Sequence, residues 1–178
     1  SLLAIISSFY AIYHGSEGLT KIAQRVSLLR KYLESGLFEL GFQINNAIRF
    51  DSIDIYSENA PYIHKEAVRK GYNLRILPLG ATIENSLGFG ISIDELTDLD
   101  EIQELLILIS NVLQKRINLN ALVLDEMSLL EGIPLRESKF MQQSIFEDFQ
   151  SETDLMRYIY YLSEKDFSLV DGMIPLGS

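Results

Sequence analysis

The chain has 178 residues, enough for one good hydrophobic core with an arm added but short for two full domains. Its 25 acidic residues against 15 basic give a net charge of −10, which argues against nucleic acid or an anionic membrane as the main partner. Cysteine is absent, which excludes disulfides, zinc–thiolate sites and thiol catalysis by this chain.

The opening SLLAIISSFYAIY is apolar enough to suggest a signal or membrane segment, but it has no basic flank and is too short to span a bilayer. Leu2, Leu3, Ile5, Ile6, Phe9 and Ile12 instead predict a buried helix, broken at Tyr13-His14-Gly15-Ser16. Ser16 is positioned to cap a second helix. Its apolar residues Leu19, Ile22, Val26, Leu29, Leu33, Leu37 and Leu40 recur at steps of three and four, run through Gly36 and stop at Gly41. At 1.5 Å per residue this helix would be about 36 Å long, enough to bridge two domains.

FQINNAIRF and DSIDIYS predict two strands with a break near Phe50 and Asp51, and Ile53 and Ile55 share a face. Pro61 opens a helix of about ten residues that ends at Gly71. YNLRILP is a third strand, stopped by Pro78, and residues 87–93 a fourth. Thr97 or Asp98 then caps a helix in which Leu99, Ile102, Leu106, Ile109 and Leu113 form one stripe. Leu105, Ile107, Leu108 and Val112 widen that stripe, so the helix should be nearly surrounded. Acidic residues crowd its first turns, and Lys115 and Arg116 are expected in its last, as the helix dipole favours. The order describes an α+β two-layer sandwich, a small antiparallel sheet with helices on one face.

After Arg116 the periodicity weakens, and Gly132-Ile133-Pro134 is a plausible boundary. Beyond it SIFEDFQ is short and aromatic. Ser151, with Asp154 in the reciprocal position, caps a last helix whose Leu155, Tyr158, Ile159 and Leu162 form a face. The residues alone give an α+β domain up to about residue 132, followed by an aromatic helical arm over 133–178. Both ends stop in mid-pattern, which suggests a piece of something longer.

Chemistry is sparse. His14 sits in the helix break, where it could orient a ligand or simply be a hydrogen-bonded loop histidine. His64 lies beside Lys65 and Glu66 and is read as a surface residue without function. No HxH or HExxH spacing supports a metal. Gly88-Phe89-Gly90 lacks the third glycine and the helix start of a phosphate-binding turn, so it reads as a glycine-permitted strand. The carboxylates of DELTDLDEIQE sit where capping already wants them. Tyr158, Tyr160, Tyr161 and Phe167 could stack on a cofactor or base, but at helical spacing they serve better as anchors on another surface.

Two long stretches, YAIYHGSEGLTKIAQRV and SETDLMRYIYYLSEKDFSLVDGMIPLGS, with FDSIDI between them in the expected order, resemble the glycine cleavage system P-protein family. The resemblance covers essentially the whole chain and is weakest over 80–131. It implies a pyridoxal-phosphate-dependent oxidoreductase of fold type I that decarboxylates glycine and passes the aminomethyl group to lipoylated H-protein. On this reading residues 1–15 are the end of the large domain with the connecting helix, and 16–132 the small domain, of the first of two homologous halves. Residues 133–178 begin the second half as an arm wrapping its partner, and the remaining part of the P-protein is the main partner, in an assembly that is itself dimeric.

The lysine that holds the cofactor would lie beyond Ser178, and none of the seven lysines here matches its motif. No catalytic residue and no metal ligand carries over, and no cofactor is expected on this chain alone. Pro175, Leu176, Gly177 and Ser178 match the start of a motif near the active site, which makes Ser178 the one candidate cofactor neighbour. Gln150 departs from the histidine common in the family at that position. The implied location is the bacterial cytoplasm or a mitochondrial matrix. The rival reading, from a different class, is a free-standing interaction or dimerisation module related to the family by ancestry only.

Overall fold

The computed structural model describes residues 1–44, 49–122 and 136–173. Its elements are α1 (Leu2–Glu39), β1 (Ser52–Tyr56), α2 (Ala60–Arg69), β2 (Arg75–Leu77), β3 (Gly88–Ser92), α3 (Leu99–Val112), a 3-10 turn (Leu119–Ala121), α4 (Ile145–Asp148) and α5 (Glu152–Ser163). They form two compact units, one of residues 22–135 and one of residues 1–21 with 136–178. The expected boundary at Gly132 to Pro134 lies outside the described residues.

The larger unit is α+β. Its antiparallel sheet has the order β1-β3-β2, with Ile53 opposite Ile91, Ile55 opposite Phe89, and Phe89 in turn opposite Ile76. The period-two alternation of β1 buries Ile53 and Ile55 and leaves Asp54 and Tyr56 in solvent. The buried face joins one core with Val26, Leu29, Leu33, Leu37 and Leu40 of α1, Ile63 of α2, and Ile102, Leu105, Leu106 and Ile109 of α3. On the solvated face Asp54 and Arg75 pair across Gly90, where any side chain would collide with both, and the Ser52 and Ser92 hydroxyls bond at 2.8 Å.

The strand expected over 42–50 is not found. Residues 42–44, 49 and 50 lie outside any strand, and 45–48 lie outside the described residues. The alternation of Phe42 and Ile44 comes instead from a loop that drops both side chains into the core. The carbonyl of Phe50 accepts from Arg30 Nε at 3.2 Å, so a side chain bonds it rather than a neighbouring strand.

Three helix ends repeat one device. Gly41 and Gly71 take positive φ, and the two amides after each helix bond back to Phe38 and Leu37, and to Val68 and Ala67, closing Schellman turns. After α3 the same turn falls on Gln114, with φ of 53°. A side chain in the left-handed region is disfavoured, so Gln114→Gly should stabilise the unit by about 1 kcal/mol. The urea midpoint should rise with the slope unchanged.

Asp98, not Thr97, caps α3. Its carboxylate accepts from the Glu101 amide at 2.8 Å and Glu101 returns the bond, a complete capping box. Thr97 instead folds back onto Asp94. The helix is enclosed on all but a strip of Asp100, Glu101, Glu104, Ile107 and Asn111. Lys115 and Arg116 fall beyond its end rather than in its last turn, because the chain turns at Gln114. Lys115 Nζ then donates to the Leu40 carbonyl, so the expected cation serves the C-terminus of α1.

In the second unit Ser151 caps α5 as read, with its hydroxyl accepting from the Asp154 amide at 3.1 Å. Leu155, Tyr158, Ile159 and Leu162 form the half-buried face. The rings anchor one another there: Phe149 stacks on Tyr158 at 4.2 Å, and Phe9 of α1 meets Tyr158 edge-on at 6.4 Å.

Candidate functional site

The break expected in α1 is one residue wide. Gly15 leaves the helical region for φ 61°, ψ −174°, a conformation essentially restricted to glycine. A Cβ there would stand 2.5 Å from both Gln150 Nε2 and the Phe146 carbonyl oxygen. Gln150 Nε2 in turn donates to that carbonyl at 2.9 Å. Gln150 therefore falls at a joint between α1 and α4, with its side-chain amide as the donor there. Nothing in the sequence around Gly15 signals that its neighbour is residue 150.

His14, read as a loop residue in the break, lies within α1, because only Gly15 departs from the helix. Its ring packs on Tyr10 at 4.4 Å and edge-on to Tyr13 at 5.1 Å. His64 is corrected more sharply. It is 2% exposed, Nε2 lies 3.1 Å from the Gly88 carbonyl, and its ring meets Phe89 edge-on. The signal was present in the sequence: Ala60, Ile63, His64 and Ala67 recur at i, i+3, i+4 and i+7, and all four are buried. Gly88 and Gly90 lie in β3, as the strand reading requires.

The carboxylates around α3 are engaged locally. Asp94 accepts from the Thr97 hydroxyl, the Leu96 amide and the Thr97 amide, each at 3.0 Å, and these bonds hold it below the ordinary carboxylate range. Glu104 Oε2 accepts from the Tyr72 hydroxyl at 3.0 Å. Burial first, then the bond to Glu104 and the charges of Glu104, Glu101 and Asp98, push the Tyr72 pKa above its usual 10.0. A raised folded-state pKa stabilises below the unfolded value and loses that contribution as pH rises through the folded one. Stability should therefore fall above about pH 10, and Tyr72→Phe should flatten that part of the pH–Tm curve.

Arg30 is buried among partners, donating to Phe50 and to Glu34, and Glu34 also accepts from Arg49 at 2.7 Å. No group of three or more metal-ligating side chains is placed to hold an ion among the described residues. An open depression is lined by Asn59, Tyr62, Lys65, Glu66 and Val112. Its Glu66 carboxylate is held by the Arg69 guanidinium, and no glycine is among its lining residues. Lys21 is paired with Glu17, Lys115 with the Leu40 carbonyl, and Lys165 lies over the Tyr161 ring. The lining of the depression does not make a phosphate cradle of the kind pyridoxal phosphate needs. Residues 175–178, including Ser178, lie outside the described residues. Among the described residues no helix is long and apolar enough to cross a membrane.

Comparison with known proteins gives the class that this geometry leaves open. The sequence model of the glycine cleavage system P-protein family matches residues 1–109. A glycine dehydrogenase (decarboxylating) of Prochlorococcus marinus strain NATL2A is 48% identical over 99% of this chain. The enzymes of the same name from Parasynechococcus marenigrum and Psychromonas ingrahamii are 44% and 41% identical over 99%. The chain belongs to the glycine cleavage system P-protein family. It spans 18% of the length of each of these relatives.

Proposed function

We propose that this chain is part of a glycine dehydrogenase (decarboxylating) that releases the carboxyl carbon of glycine as carbon dioxide and passes the aminomethyl group to lipoylated H-protein. The observation carrying this reading is the 48% identity that runs through 99% of the chain to a relative bearing that name. Residues 1–15 close a large domain, 16–132 form the small domain of a fold-type-I enzyme, and 133–178 begin a second half as an arm. The three-stranded sheet backed by α1, α2 and α3 supports that assignment for the small domain.

Pyridoxal phosphate and the lysine that holds it belong to the remaining part of the polypeptide, so no chemical step is given to residues of this chain. Ser178 is its one residue assigned a place next to the cofactor. The remaining part of the P-protein, H-protein and a second P-protein copy are the partners, and the bacterial cytoplasm is the location. The test is release of labelled carbon dioxide from carboxyl-labelled glycine with lipoylated H-protein. The P-protein polypeptide carrying this sequence should release it, and the 178-residue chain alone should not. After incubation with pyridoxal phosphate and borohydride reduction, the chain alone should carry no stoichiometric adduct. A single modified lysine in the isolated chain, or a P-protein inert toward glycine, would overturn the reading.

A further inference from the structure

The first two turns of α1 have a surface unlike the rest of the molecule. Residues 1–8 are all exposed, with Leu3 at 78%, Leu2 at 67%, Ile6 at 53% and Ile5 at 51%. At about 100° per residue, Leu2, Leu3, Ile5, Ile6, Phe9 and Tyr10 cover an arc of roughly 160°. The opposite side carries only Ala4, Ser7 and Ser8, and both serine hydroxyls are used inside the helix, donating to the Leu3 and Ala4 carbonyls at 2.9 Å. From Ser1 to Ser16 there is no Asp, Glu, Lys or Arg, in a chain whose charged fraction is 22%. Residues 2–8 carry no charge, and their two side-chain donors, Ser7 and Ser8, are already used inside the helix, so with its wide apolar arc this stretch can be enclosed on every side without stranding a donor. A one-sided contact would need far less.

We propose that residues 1–8 of α1 are an enclosed core helix of the assembled P-protein, surrounded by apolar surface of the same polypeptide outside these 178 residues. This rests on the family reading, because the relatives that align through these residues are more than five times longer, and that length supplies the enclosing body. The contact is already begun within the arc, where Phe9 meets Tyr158. A second copy of this chain, offering one face across a two-fold axis, would cover the arc but leave the Ala4–Ser7–Ser8 side in water.

The 178 residues contain no cysteine, so a thiol introduced there is the only one in this stretch, and its labelled peptide identifies it in the longer polypeptide. Leu3→Cys and Ile6→Cys probe the arc, and the nearly isosteric Ser7→Cys probes the back and keeps the test usable if an arc variant misfolds. Each thiol is labelled with a small maleimide in the 178-residue chain, in the P-protein polypeptide, and in that polypeptide unfolded in urea, and peptide mass spectrometry reads the site. In the chain alone the rates should lie within tenfold of the unfolded rate. In the P-protein all three should be at least a hundredfold slower. Arc thiols that label as fast in the P-protein as in the chain would overturn the proposal. So would protection of the arc but not of Ser7→Cys, or protection in the chain alone that grows with its concentration, which would give the surface to a second copy. No turnover is measured, so a P-protein inactive on glycine with the helix protected would overturn the functional reading and leave this one standing.

Discussion

Leu106→Ala is expected to lower the stability of the sheet-bearing unit by about 3–4 kcal/mol, within the range for fully buried leucines. Leu106 is fully buried in the middle of α3, and α1 meets it at Gly36, where a Cβ would stand 2.5 Å from Leu106 Cδ1 and 2.7 Å from Cδ2. Gly36→Ala should therefore also destabilise, by about 1–2 kcal/mol. Overpacking costs about 1–3 kcal/mol, and removing a mid-helix glycine returns up to about 1. The informative variant is the double one, since the methyl group added in Gly36→Ala would occupy part of the space that Leu106→Ala vacates. Its loss should fall short of the sum of the two single losses by at least about 1 kcal/mol. With no tryptophan in the chain, urea unfolding followed by far-ultraviolet circular dichroism is the measurement. Strict additivity would mean that the two helices do not touch at this point.

The second large effect belongs to His64. His64→Phe keeps the ring volume against Phe89 but leaves the Gly88 carbonyl without the imidazole, and should cost about 1–3 kcal/mol. His64→Ala adds a cavity to that loss and should cost about 3–5 kcal/mol. The difference between the two separates packing from hydrogen bonding. A His64→Ala loss under about 1 kcal/mol in the same unfolding experiment would show that α2 is held to the sheet without this residue.

How much of this was legible in the sequence follows from the range of the forces involved. Periodicity and capping are local, so α2, β2, β3, α3, the stop at Gly41 and the Ser151 cap could be read from a few neighbouring residues. Phe42 and Ile44 misled because a loop that buries alternate side chains carries the same pattern as a strand. Only the turn at Gly41 and the Arg30–Phe50 bond decide between them. His64 misled because its charged neighbours Lys65 and Glu66 drew attention from the i, i+3, i+4, i+7 stripe that contains it. The Gly15–Gln150 joint links residues 135 positions apart and could be seen only in three dimensions. The family was legible because two long end motifs stand in order. The reacting groups were not, because the motifs offered only Ser178, outside the described residues, as a neighbour of the cofactor.

The order of strands in the sheet has a consequence for how the chain reaches its fold. β3 is central, yet it is the last of the three to be synthesised, and β1 and β2 never pair with each other. The β2–β3 pair closes a short loop, whereas Ser52 must find Ser92 across forty residues, a closure that costs more entropy. On a ribosome, a nascent chain that has emerged only as far as Leu77 holds two strands with no mate. The sheet cannot begin until β3 emerges, and the backbone edges of β1 and β2 stay unpaired until then. This is the interval in which a chaperone would have something to hold.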